Sequence, residues 1–408
     1  MNDPAVILSR LERLRTNDVR WREGRAFSLA YHASSEAQDL AESAYRMFAG
    51  ENALNTDAFP SLKTMTAEVV SFVSELLSAP EGSGGFMTSG GTESLILAVY
   101  AAKQHAIARG RHPGNVVMPT SAHAALEKAC AYFDLESRRI PVDQNWRADP
   151  SAMATAVDAE TVLLVASAPQ YPQGVVDPVS AIAAIASDHD IPCHVDACMG
   201  GMLLPFLSPP HAWNFSVDGV TSMSVDLHKY GYAAKGAGVI VYRSKDLRNR
   251  QVFVTDNWLG GLYGSSGILG TKSGGPIAAA WAMIQYFGRD GYEQLAHRAH
   301  RTALTYADLV NATDPLFVRC SPDTSLLCVG SREETSVPIF AVADALWRRG
   351  WYVDRQAPPP SLHMTVNVAH HAVFDAFARD LRDAVAEARK RALQGTTGSE
   401  PGTYGTVE

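Results

Sequence analysis

Cysteine is scarce in this chain. Cys130, Cys193, Cys198, Cys320 and Cys328 are the only five in 408 residues. None forms a C-x-x-C pair, which argues against a zinc ribbon or a redox dithiol. Reduced thiols in a cytoplasmic setting are expected. A chain this long buries roughly three quarters of its unfolded surface without disulfide staples. Long apolar runs are missing too, and no segment approaches the ~20 residues of a membrane span. Basic clusters are absent: 35 Lys and Arg stand against 43 Asp and Glu, for a net charge of −8. Nucleic-acid binding would need those bases gathered on one face. The opening MNDPAVILSRLERLRTNDVRW has an acid at residue 3 and no long apolar core, so it reads as an amphipathic helix and not as a signal peptide. No internal repeat and no metal site is expected.

What is present is an alternation. Residues 1–57 are polar and helical in tendency. From Phe59 onward, apolar strand candidates (Val116–Met118, Thr161–Ala168, Ile191–Val195, Gly219–Val225, Ala237–Tyr242) alternate with helix candidates (Leu62–Leu77, Thr92–Ala108, Ala122–Phe133, Val179–Asp188, Pro276–Phe287). Nearly all-apolar strands between amphipathic helices predict an α/β fold, a mostly parallel sheet covered on both faces. A helical stretch at Tyr292–Leu309 leads into SLLCVGS, PIFAVADALWRRG and SLHMTVNVAH, an α+β pattern. The expected division is a helical segment 1–57, a large domain 58–300, a smaller C-terminal domain 301–392 and a flexible Gly/Thr/Ser-rich tail 393–408.

Four segments carry chemistry. MTSGGTESLILAVYAAK sets Gly90, Gly91 and Thr92 before a helix, where outward-pointing amides attract an anion and glycines let it approach. The alternative is an ordinary helix start. His123 in PTSAHAALEKA is either a cap, a packed side chain or a functional ring. Asp196 in IPCHVDACMGG ends a strand, where open α/β sheets bind ligands. A buried carboxylate there needs a cation or donors, such as a protonated pyridine nitrogen, unless it merely caps a loop. Lys229 in SVDLHKYGYAAKG follows the next strand. Burial would depress its pKa and make it a Schiff-base nucleophile, or it pairs structurally with Asp226 or a glutamate. Phosphate loop, flat cover, carboxylate and amine, in that order, are what pyridoxal phosphate requires.

From about Trp21 to the tail, the segments TSGGTES, SAHAA, PQYPQGVVDP, HVDACMGG, DLHKYGYAAKG, NWLGGLYGS and GTKSGG resemble the sphingosine-1-phosphate lyase family, in the group II decarboxylase branch of fold-type I pyridoxal phosphate enzymes. TTGSEPGTYG resembles that family's Tyr-containing C-terminal segment, which would return the tail toward an active site. The resemblance implies that Gly90, Gly91 and Thr92 hold the cofactor phosphate, that His123 stacks on the ring, that Asp196 pairs with its nitrogen, and that Lys229 carries it with His228 alongside. Tyr31 and Lys235 match positions at the substrate phosphate end. A homodimer with shared active sites is implied, LYGSSGILGTKSGG being part of what each subunit lends. So is retro-aldol cleavage of a β-hydroxy amine to an aldehyde and a smaller amine. An amino-acid α-decarboxylase uses the same parts and is the alternative, and a cofactor-binding protein without turnover is a third.

Some positions depart from the family pattern. Asn55 replaces a histidine of an N-x-L-H segment, Gln173 stands where histidine is common, Lys272 replaces an arginine, and Ser273 and Ala234 replace prolines. Arginine to lysine forfeits a planar bidentate fork. Intact cofactor machinery with altered recognition of a phosphorylated long-chain base is therefore expected.

Overall fold

The computed structural model describes residues 2–209 and 211–394. Seven strands form the main sheet: β1 (Gly84–Thr88), β2 (Asn115–Pro119), β3 (Glu136–Ile140), β4 (Thr161–Ser167), β5 (Cys193–Asp196), β6 (Ser222–Asp226) and β7 (Gly238–Tyr242). They lie in the order β3-β2-β4-β5-β6-β7-β1. Neighbours from β3 to β6 are parallel, and β7 runs antiparallel to both β6 and β1. Every residue of β2, β4, β5, β6 and β7 is buried. This burial accounts for their apolar sequence, because helices cover both faces. On one face Leu95 and Val99 of helix Gly91–Ala108 pack with Val116 and Val165. On the other, Leu62 and Val69 of helix Pro60–Leu76 and Ile277 of helix Gly275–Asn311 meet Val195 and Met223.

Apolarity alone did not reveal β1 and β3. β1 reads GGFMT, and strand-interior glycines weaken the signal. Gly85 is needed there because a Cβ would stand 2.3 Å from the Ile240 carbonyl oxygen across the ladder. β3 reads ESRRI and lies at an edge. Arg138 pairs with Glu136 and Asp158, and Arg139 with Glu127, charges that protect an exposed edge from further pairing.

Beyond the sheet lies a hairpin of β8 (Phe253–Thr255) and β9 (Tyr263–Ser265). A second, antiparallel sheet follows: β10 (Leu316–Val318), β11 (Leu326–Ser331), β12 (Asp354–Gln356) and β13 (Ser361–Thr365), in the order β10-β11-β13-β12. Helices Ile339–Arg348 and Phe374–Leu393 pack on it. The two helices expected at 276–287 and from 292 are arms of one helix, Gly275–Asn311, interrupted at Gly288 (φ 54°, ψ −170°). The first arm buries Ile277 and Ile284 in the main core, and the second buries Ala303 and Tyr306 against the small sheet.

The first 57 residues are less helical than expected. Helices Pro4–Leu14 and Ser35–Met47 flank a mostly irregular stretch with two short 3-10 turns. Within that stretch Phe27 is fully buried in the small-sheet core. Its ring stacks on His370 at 4.2 Å and meets Phe377 at 4.8 Å. The tail from residue 395 lies outside the described residues.

Candidate active site

The site opens where β1 gives way to helix Gly91–Ala108. Gly90 has φ +141°, and a Cβ on it would lie 2.8 Å from Cε1 of His228. A Cβ on Gly91 would lie 2.8 Å from Sγ of Cys198 and 2.9 Å from Oδ2 of Asp226. Both positions therefore demand glycine, and the loop is pressed onto the ends of β5 and β6. The Ser89 amide donates to Oε2 of Glu93 at 2.6 Å, while Oε1 of Glu93 accepts from the Ile268 amide at 2.8 Å. Glu93 thus ties the glycine turn to the segment after β9. The first amides of any helix lack intrahelical acceptors, and here they border a cavity of about 260 Å³ lined by Ser89, Gly90, Gly91 and Thr92.

His123, Asp196, His228 and Lys229 line the same cavity. His123 is the N-cap of helix Ala124–Tyr132, its Nδ1 accepting from the Ala125 amide at 3.1 Å. Burial lowers its pKa, opposed by Asp196. The ring's Nδ1 is engaged by the backbone of its own helix. Asp196 ends β5, and its Oδ1 accepts from the Cys198 amide at 3.0 Å and the Ser224 hydroxyl at 3.4 Å. Three residues past the end of β6, Lys229 sets its Nζ 2.9 Å from Oδ2 of Asp226. His228 accepts the Ala237 amide on Nδ1 at 3.2 Å, and burial pushes it down to about 4.

The expected depression of the Lys229 pKa is not found. Burial pulls it down, but Asp226, then Cys198, Tyr31 and Asp196, outweigh burial and hold it well above the usual lysine range. The pair with Asp226, one of the two alternatives for this lysine, is present. Oδ1 of Asp226 is buried with no hydrogen-bond partner among the described residues.

The substrate-end candidates lie outside this cavity. Lys235 places its Nζ over the Tyr31 ring at 5.1 Å and donates to the His228 carbonyl at 3.3 Å. The Tyr31 hydroxyl reaches Sδ of Met199 at 3.7 Å. An adjoining cavity of about 430 Å³ shares Ser89 with the first and takes in Lys235, Lys272 and Ser273. Asn55 lines neither; it is exposed and accepts the Asp57 amide at 3.0 Å in a local turn. Gln173 is buried against Gln170, with a side-chain bond of 2.8 Å. Tyr171, whose place in the site sequence reasoning missed, does line the first cavity. It stacks on His363 at 3.8 Å and donates to Asp354 at 2.8 Å, tying the cavity to the small sheet. An aromatic between Gln170 and Pro172 was its only signal in the sequence. Glu93 and Cys198 also gained a place only from the fold.

Residues 7–330 match the Pyridoxal-dependent decarboxylase conserved domain, so the chain is a pyridoxal phosphate-dependent enzyme of that class. Sphingosine-1-phosphate lyase 1 of Rattus norvegicus is 36% identical over 401 residues, which span 97% of this chain and 70% of that one. A sphingosine-1-phosphate lyase structure from Burkholderia pseudomallei superposes with a TM-score of 0.90 at 35% identity, covering 97% of this chain and 93% of that one. The chain belongs to the sphingosine-1-phosphate lyase family and is a lyase. Glutamate decarboxylase of Lactobacillus brevis, at 21% identity and a TM-score of 0.84 over 97% of this chain and 94% of that one, shares the fold.

The residues present fit pyridoxal phosphate. A cradle where two Cβ atoms would collide with its floor, a neutral capped histidine, a strand-end carboxylate and a buried lysine amine border one cavity. No helix among the described residues is long and apolar enough to cross a membrane.

Proposed function

We propose that the chain cleaves the Cα–Cβ bond of a β-hydroxy amine, a phosphorylated long-chain base of the sphingosine-1-phosphate type or a smaller analogue, to give an aldehyde and an amine. The observation that carries this is the opening of Asp196 and Lys229, from adjacent strands β5 and β6, into one cavity with the glycine cradle. Pyridoxal phosphate, when bound, supplies an electron sink for the pair left by the broken bond. The chain's own residues do the rest. Gly90, Gly91 and Thr92 bind the phosphate through helix-start amides and a hydroxyl. His123 covers one ring face, and Asp196 holds a proton at the ring nitrogen. Lys229 supplies the amine, with His228 beside it and Asp226 neutralising its charge until the cofactor arrives. Which bond breaks is set by orientation, and Tyr31 and Lys235 set it from the substrate's anionic end, Asn55 lying outside both cavities.

The working unit is a homodimer. Support comes from apolar side chains left in solvent: Val6, Leu8, Leu11 and Leu14 on helix Pro4–Leu14, and Trp258, Leu259 and Leu262 in the β8–β9 hairpin. The hairpin leads into the 262–275 segment whose Ile268 amide is held by Glu93. Sedimentation at graded concentrations tests the dimer, and a monomer throughout would refute it. A cytoplasmic location is proposed with it, on the reduced thiols.

The activity is tested by giving the cofactor-loaded protein phosphorylated sphingoid bases and, separately, common amino acids. Aldehyde release is expected. Carbon dioxide without aldehyde would make it a decarboxylase.

A further inference from the structure

β5 and β6 are covered on both sides, yet one face of the pair is polar. Side chains alternate along a strand. Cys193, Val195, Met223 and Val225 fall on the face that packs into the main core. His194 and Asp196 of β5 share the opposite face with Ser222, Ser224 and Asp226 of β6. Register pairs His194 with Ser222 and Asp196 with Ser224. All five are at most 8% exposed. Polar groups at such depth are destabilising unless they bond one another.

They do, in a line. Ser222 Oγ lies 2.9 Å from Nδ1 of His194, and Nε2 of His194 lies 3.2 Å from Ser224 Oγ. Ser224 donates to Oδ1 of Asp196 at 3.4 Å and accepts from Sγ of Cys198 at 3.3 Å. Burial drives His194 down to about 4, so its ring is neutral and has a single N–H. That hydrogen has two possible places. On Nδ1, it would leave Nε2 as an acceptor that claims the Ser224 hydrogen, and Ser224 would turn a lone pair toward the Asp196 carboxylate. On Nε2, it lets Ser222 donate to Nδ1, His194 to Ser224 and Ser224 to Asp196. Only the second arrangement pairs every group, and all its hydrogens point at the carboxylate. Chains of this kind strengthen along their length in a low-dielectric interior.

We infer that Ser222, His194 and Ser224 are positioning residues, a buried donor chain that holds the Asp196 carboxylate in place and aimed at the cofactor's ring nitrogen. This rests on the proposed pairing of Asp196 with that nitrogen. His194 touches neither cofactor nor substrate; it acts through Ser224. The chain explains why SMSVD and CHVD carry polar residues at alternate positions within strands otherwise built for a core.

The test uses cofactor labelled with nitrogen-15 in the ring, bound to full-length Ser224→Ala, Ser224→Thr, His194→Phe and Asp196→Asn. Three quantities are read: the ring-nitrogen chemical shift, the cofactor dissociation constant and the thermal midpoint. Ser224→Ala removes one bond to a charged group, so about tenfold or weaker cofactor binding is expected, with the nitrogen shifting toward its unprotonated value. Ser224→Thr keeps a hydroxyl and should restore both. His194→Phe should behave like Ser224→Ala, and if it fails to fold, the Ser224 pair carries the test. Lower thermal midpoints with a protonated nitrogen and wild-type affinity in Ser224→Ala would overturn the inference and leave a merely structural network. A protonated nitrogen in Asp196→Asn would instead overturn the pairing of Asp196 itself, and the inference with it.

Discussion

The wall proposed for the cofactor and the residues proposed for the substrate end are built differently. Gly90, Gly91, Asp196 and Asp226 sit at the ends of strands or the start of a long helix, and each is fixed by neighbours of the same chain. Asn55 and Lys272 sit on loops. Asn55 is exposed and accepts from the Asp57 amide of its own turn, while Lys272 is held through its backbone, its carbonyl accepting from the Ala53 amide at 2.8 Å. In the first region a side chain at Gly90 or Gly91 would collide with its neighbours, so little change is tolerated there. In the second, the side chains of Asn55 and Lys272 are not part of the buried core.

The sharpest way to break this contrast is Lys229→Ala, which should abolish turnover. Borohydride reduction of the loaded protein followed by peptide mapping should place the pyridoxyl group on Lys229. Label on Lys235 or Lys272 would move the reaction centre into the second region. Next is Asp196→Asn, nearly isosteric but unable to hold the ring nitrogen's proton. Turnover should fall by ~100-fold or more, as for loss of a buried charge-assisted contact, with little change in thermal midpoint. Near-normal turnover would remove Asp196 from the cofactor.

The buried histidines also carry acid sensitivity. His194, His228, His363 and His370 are each pushed to about 4 by burial. Their folded values lie below the ordinary one, so on acidification the unfolded chain takes up protons first. Stability is full above about pH 6.5 and falls toward pH 4, by about 1.4 kcal/mol per pH unit for each histidine. Asp177 works the other way. Burial raises it to about 6, so below that pH the folded chain binds its proton first, offsetting about one histidine. Urea midpoints should therefore drop between about pH 7 and pH 5, and a flat profile would contradict the burial of these rings.

The smallest effect is expected at Asn55→His. Restoring one charge-assisted hydrogen bond should improve cleavage of sphingosine-1-phosphate by up to ~10-fold. Efficient wild-type cleavage, unimproved by the change, would show the substrate end to be unaltered after all.

Legibility in the sequence followed the same division. Asp196 and Lys229 stood out because buried strands are apolar until they end, and the first polar residues mark the sheet's binding edge. The glycines before helix Gly91–Ala108 stood out because only a close approach calls for two together. Asp226 as Lys229's partner was visible only as one possibility, because spacing along the chain does not say which carboxylate a lysine meets. Tyr171 was invisible, since its role comes from β12 and β13, nearly two hundred residues away. Ser222, His194 and Ser224 were passed over as strand filler because their alternation shows only when two strands lie in register.

Phe27 sets a schedule. It leaves the ribosome well before its neighbours His370 and Phe377, which come roughly 350 residues later. At about 5–20 residues per second that is roughly 20–70 s of synthesis. Throughout that interval a large aromatic waits with its socket unmade. The small-sheet core therefore cannot close around Phe27 until the His370–Phe377 segment has been made, joined from two segments far apart in the chain.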